Sequence, residues 1–181
     1  KDVLLNDKSL NDSLRFNLMV KITFNQVNPD SILFYADNLI FQAEKKSNPL
    51  YIAKGYYFKS IGYSQKSKND IALEFLIRCI NEATSIGDLR LISVSYFQMG
   101  NIYSSLKNYD NSTACYLTAI NKYKKLKCTS ELSSAYLNLG TDYYAQNKLD
   151  SALHYYALSD SIYLLLHDEL SGAYAKGNIG I

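Results

Sequence analysis

Residues 96–103 read Tyr-Phe-Gln-Met-Gly-Asn-Ile-Tyr, and residues 136–143 read Tyr-Leu-Asn-Leu-Gly-Thr-Asp-Tyr, the same frame displaced by 40 positions. Working outward in steps of 40, whole columns appear. Asp30, Asp70, Asp110 and Asp150 form one, and Phe16, Tyr56, Tyr96 and Tyr136 another. Tyr63, Tyr103 and Tyr143 recur, as do Ile40, Ile80 and Ile120. Ser60, Gly100, Gly140 and Gly180 stay small, and so do Ser13, Ala53, Ser93, Ser133 and Ala173. A register held this long without an insertion marks an internal repeat, in which each unit buries its apolar face against its neighbours.

Each unit holds two helical stretches. In the third, Val94, Phe97, Met99, Ile102, Tyr103 and Leu106 follow helical spacing, and Ala114, Tyr116, Leu117, Ile120 and Tyr123 do so again. Asn108-Tyr109-Asp110-Asn111 lies between them with turn chemistry and an acidic helix start. The aspartate column therefore falls where a carboxylate can cap the second helix and meet its positive dipole end, and capping explains the spacing better than catalysis does. Lys45-Lys46 and Lys122, Lys124, Lys125 and Lys127 sit late in second helices, where cations oppose the negative helix end. Glycine or serine at Ser60, Gly100 and Gly140 allows close approach of the partner helix, with a tyrosine three residues later filling the space around the crossing. Tyrosines at this spacing are packing elements in preference to cofactor-stacking ones.

The segments Tyr96-x2-Met99-Gly100-x2-Tyr103 and Tyr136-x2-Leu139-Gly140-x2-Tyr143 resemble the first helix of a tetratricopeptide repeat. Ser112-x3-Tyr116 and Ala152-x3-Tyr156 resemble its second helix, and Ala72-x3-Leu76 follows the same plan. Tyrosine or phenylalanine replaces the family's tryptophan, the closing proline is missing, and the period is 40, longer than the family's usual one. The resemblance implies an all-α fold, a right-handed superhelical α-solenoid of antiparallel helix pairs. It divides the chain into a degenerate repeat at 10–48, repeats at 49–88, 89–128 and 129–168, and the start of a further, truncated repeat at 169–181. Helix pairs are expected to start near Asn11, Pro49, Leu89 and Ser130, with partners near Asp30, Asp70, Asp110 and Asp150. With Val20 and Thr23 in the glycine and tyrosine columns, the first repeat reads as an amino-terminal cap. At the other end Tyr174, Ile179 and Ile181 supply no polar cap, so the chain reads as a piece of a longer array able to pack on a second copy.

The style of the repeats also resembles arrays in Bacteroidetes signalling proteins, which precede a membrane helix and a histidine kinase, nucleotide cyclase or transcription regulator. That likeness implies a sensory input domain and favours an extracytoplasmic location over a cytoplasmic one.

Composition narrows the function. The balance of 48% hydrophobic and 20% charged residues is globular, and a formal charge of +2 points to neither nucleic acid nor a membrane surface. No apolar run approaches the roughly 18–20 residues of a spanning helix. Cys79, Cys115 and Cys128 lack metal-ligand spacing, and His154 and His167 are too few and too scattered for a metal site. No phosphate-binding loop or nucleophile–base pairing is visible, so neither an enzyme, a cofactor nor a metal is expected.

A binding scaffold is the remaining reading. In stacked hairpins the first helix of each pair lines the inner face. Opposite the packing side of those helices lie Tyr57, Ile61 and Ser64, then Phe97, Asn101 and Ser104, then Leu137, Thr141 and Tyr144, an uncharged, aromatic and hydroxyl-rich surface. A clamp for a terminal carboxylate would need paired lysine and asparagine side chains, and only Lys54 and Asn101 qualify, in different repeats. The surface is expected to meet a protein or peptide, with apolar groups that the hairpins do not need for their own packing.

Overall fold

The computed structural model describes residues 11–165. Over that range it holds eight helices: α1 (Asp12–Phe24), α2 (Pro29–Lys45), α3 (Pro49–Gln65), α4 (Asn69–Ser85), α5 (Leu89–Ser105), α6 (Tyr109–Leu126), α7 (Thr129–Ala145) and α8 (Leu149–Leu165). Among the described residues there is no strand. Successive helices pack against each other as in a helical-repeat solenoid. The chain divides between Ser95 and Tyr96 into two compact units, and the division falls inside α5. The expected further repeat at 169–181 lies outside the described residues.

From α2 onward the helices begin at even intervals, at Pro29, Pro49, Asn69, Leu89, Tyr109, Thr129 and Leu149, because the chain reverses by one device each time. Ser47, Ser67, Gly87, Lys107, Lys127 and Asn147 all take positive φ, between 48° and 70°. The residue after each donates its backbone N–H to a carbonyl in the last helical turn, as from Lys68 to Tyr63 (2.9 Å) and from Asn108 to Tyr103 (2.9 Å). This left-handed closure satisfies carbonyls that the helix would otherwise leave open.

The aspartate column contributes less to the helix starts than its spacing suggested. Asp30, Asp70, Asp110 and Asp150 sit in the first turns of α2, α4, α6 and α8, at the positive dipole end. In α2 and α6 the capping side chain precedes the aspartate: Asn28 accepts from the Asp30 and Ser31 amides, and Asn108 from the Asn111 amide, while α4 has no side-chain cap. Asp30 instead receives Lys66, the residue just after α3, at 2.5 Å.

In the first unit the core is apolar. Phe16 and Met19 of α1, Ile32, Ala36, Leu39 and Ala43 of α2, and Tyr51 and Phe58 of α3 are buried together, with Phe16 stacked on Tyr51 at 4.6 Å. Cys79 of α4 lies beside the Ser95 hydroxyl at 3.2 Å, and burial pushes its thiol from 9.0 to about 12. In the second unit tyrosines dominate. A Cβ on Gly100 would stand 2.6 Å from the ring of Tyr116, and one on Gly140 would stand 2.8 Å from the ring of Tyr156. The aromatic filling each crossing thus comes from the partner helix. Tyr143, in the turn after Gly140, stacks on Tyr155 at 5.4 Å instead.

Two measurements test this account. A side chain at Gly87 would meet no atom within 4 Å, so its φ of 70° alone sets the cost of Gly87→Ala. Urea unfolding should show a loss of about 1 kcal/mol, and Lys107→Gly, which removes the same strain, should gain about 0.5–1 kcal/mol. Thiol labelling of the native chain at pH 8 should reach the half-buried Cys128 first and spare Cys79 and Cys115, whose thiols burial raises to about 12 and about 11. Because both values are raised on folding, their contribution is complete below pH 9 and is lost as pH climbs towards them.

Candidate functional site

The nine face residues expected from the sequence fall on three helices, α3, α5 and α7. In the first unit, Tyr57 is half-buried with its phenol pushed to about 12 by burial, Ile61 packs against the apolar core, and Ser64 is half-buried. In the second unit, Phe97 is half-buried between Tyr116 (5.8 Å) and Tyr123 (6.5 Å) of α6. It is therefore needed for the α5–α6 contact, contrary to the expectation that apolar face residues are spare. Leu137 is half-buried, whereas Thr141 and Tyr144 are exposed, Tyr144 at 60%.

Three of the nine come together. Asn101, Ser104 and Thr141, with Ser105, Tyr116 and Asn138, line a pocket of about 260 Å³ on α5, α6 and α7 of the second unit. Each arrives there by helical register: Asn101 and Ser104 are one turn apart on α5, as are Asn138 and Thr141 on α7. The glycine crossing lets Tyr116 reach α5, where its hydroxyl donates to Asn101 Oδ1 at 2.8 Å. The same oxygen accepts from Asn138 Nδ2 at 2.9 Å.

Behind the pocket lies a carboxylate. Asp142 is only 2% exposed, yet it accepts from the Ser104 hydroxyl at 2.5 Å and from the Ser112 hydroxyl of α6. A buried charge survives only where hydrogen bonds replace its water, and two hydroxyl donors do so here. Burial first, and then the Asp142 charge, push the Tyr116 phenol above its ordinary value. Among the described residues no group of three or more His, Cys, Asp or Glu could hold a metal ion, and no helix is long and apolar enough to cross a membrane.

Sequence reading by helix face did not find Asp142, Tyr116, Ser112, Asn138 or Ser105. One signal was available for Asp142. Its column in the repeat is otherwise Ile22, Gly62 and Ile102, so a charge stands in a column that is elsewhere apolar or empty. Asp142→Ala leaves the Ser104 and Ser112 hydroxyls without their acceptor and should cost about 1–3 kcal/mol in urea unfolding. Unchanged stability would show that this cluster does not hold α5, α6 and α7 together.

Residues 91–159 match the family model of the tetratricopeptide repeat. No curated protein matches the sequence. Among solved structures the chain is similar to BtubC (BKLC) from P. vanneervenii, with a TM-score of 0.78 over 93% of this chain and 70% of that one. At 17% identity that likeness concerns the fold alone. Repeats of this type are generally non-catalytic scaffolds that bind proteins or peptides. The segment that carries the pocket lies within residues 91–159, the part of the chain that matches the tetratricopeptide-repeat model.

Proposed function

We propose that this chain binds an extended peptide or a segment of a partner protein, and that α5 and α7 of the second unit supply the contact surface. The observation that carries this reading is the pocket of Asn101, Ser104, Ser105, Tyr116, Asn138 and Thr141, with the exposed Tyr144 one helical turn beyond Thr141 on α7. At about 260 Å³ the pocket lies below the roughly 300–1,000 Å³ of small-molecule sites, and it suits one side chain of a longer ligand. Tyr144 offers an aromatic anchor with few rotatable bonds next to it, the residue type that carries binding energy in interfaces. Phe97 and Leu137, half-buried on α5 and α7, shape this surface mainly through packing.

A chain bearing such a surface works as the interaction part of a larger assembly, or as the input domain of a signalling polypeptide outside the cytoplasmic membrane. The second arrangement rests on the style of the repeats alone.

Random peptides displayed on phage and selected on the full chain provide the test. Selected sequences should bind the wild type and lose about tenfold or more in affinity, about 1.4 kcal/mol, on the combined change Asn138→Ala and Tyr144→Ser. Tyr144→Ser alone should leave the stability within about 0.5 kcal/mol, as for an exposed side chain. Selected peptides that bind the double variant as well as the wild type would overturn the assignment to α5 and α7.

A further inference from the structure

The pocket in the second unit has a chemical sign that its uncharged lining hides. Every hydroxyl around it spends its single proton on a protein acceptor. Ser104 donates to Asp142 Oδ1 (2.5 Å), Ser105 to the Ile102 carbonyl (2.7 Å), Thr141 to the Leu137 carbonyl (3.0 Å) and Tyr116 to Asn101 Oδ1 (2.8 Å). Asn138 and Asn101 each commit one amide N–H, to Asn101 Oδ1 (2.9 Å) and to Gln98 Oε1 (3.3 Å), and each keeps one, while the Asn138 carbonyl oxygen and the four hydroxyl oxygens offer only lone pairs. Oxygen lone pairs therefore outnumber free donors at the pocket wall.

The field behind the wall has the same sign. The carboxylates of Asp12, Asp30, Asp37 and Glu74 each meet a lysine or arginine within 4 Å. Asp142 is buried with two neutral hydroxyls as its partners, Ser104 and Ser112, so hydrogen bonding holds its charge without cancelling it. That field reaches the pocket, where it helps to raise the Tyr116 phenol. Ser104 links the two layers, lining the pocket while donating its proton to the carboxylate.

We propose that this pocket takes the guanidinium group of an arginine side chain from the partner segment. The inference rests on the peptide-binding reading above and names the chemistry of one bound residue. A guanidinium carries five donors and no acceptor, the complement of a wall of lone pairs. Its planar head and narrow stem suit a pocket of about 260 Å³, and its positive charge meets Asp142 through the Ser104 hydroxyl without direct contact. A carboxylate-bearing side chain would face both the lone pairs and the buried charge, and would be repelled.

The test is a titration of the full chain with three tripeptides that differ at one side chain: acetyl-Gly-Arg-Gly-amide, its citrulline counterpart and its glutamate counterpart. Citrulline keeps the shape and loses the charge. Binding is read from the side-chain amide NMR signals of Asn101 and Asn138. The arginine peptide should shift both signals saturably and bind roughly fivefold or more tightly than the citrulline peptide, a ratio that falls as salt is raised. The glutamate peptide should leave both signals in place. On Asp142→Asn, which keeps the shape and one of the two acceptor oxygens but removes the charge, the preference for arginine over citrulline should narrow, with far-UV circular dichroism confirming the fold. If Asp142→Asn does not fold, the wild-type ratio and its salt dependence decide alone. Citrulline or glutamate peptides that bind as well as arginine would overturn the charge inference and leave the peptide-binding reading standing. No shift with any of the three, while selected longer peptides still move the same signals, would overturn the inference on its own. No shift with either would overturn both.

Discussion

Everything in the described chain depends on how each helix is closed. A left-handed residue after the last turn, followed by an N–H that returns into that turn, reverses the chain at even intervals from Ser47 to Asn147. The closure holds the helices from α2 onward to nearly one length, and equal length keeps each face in phase with the next. Lengthening a helix by a single residue would rotate everything after it by about 100° about its axis, and the columns would dissolve. Most of these closing residues are serine or lysine, so the backbone bears a strain of about 1 kcal/mol at each. Packing of the helices on both sides offsets it.

The array was legible because that phase is strict. Columns of tyrosine, isoleucine, small residues and aspartate, recurring at one period, require one geometry recurring, and a pair of helices is what recurs. The closing column was hard to read, because only Gly87 and Asn147 among its members are residue types that favour positive φ, and serine and lysine carry no such signal. The aspartates misled for a related reason. Dipole and cap attract the same residue types within a single turn, and spacing alone does not separate Asn28 as the cap from Asp30 in the first turn. Pairing of large with small side chains was visible, but not which helix supplies each large partner. The Gly100 crossing is filled by Tyr116 of the following helix, at a separation set by the turn between the two.

The site was harder to read than the fold because it is built from exceptions to the columns. Helix-face counting finds Asn101, Ser104 and Thr141, which point where their register puts them. It does not find Asn138 or Tyr116, which sit at positions that packing usually claims. Phe97 shows the reverse error, since a residue on the correct face is drawn inward by two tyrosines of the neighbouring helix. Faces are defined by angle, and burial is decided by the size of what stands opposite.

Comparison of the two units brings out what Asp142 does. At the equivalent place in the first repeat pairs stand Ile22 and Gly62, and Gly62 lies against the apolar side chain of Leu33. An apolar side chain at residue 142 would give the second unit a similar interior at no desolvation cost. The chain instead holds a carboxylate there, and supplies Ser104 and Ser112 to solvate it. Exchanges of a buried ionic group for an apolar one of similar size are often neutral or stabilising, so stability alone does not account for the arrangement. A fixed charge next in sequence to the exposed Thr141, linked through Ser104 to an acceptor-rich pocket, does account for it. The charge is insulated from water, so its field is screened less by solvent than that of a surface aspartate. On the proposed reading, the polar interior of this unit gives a pocket lined by uncharged side chains its preference.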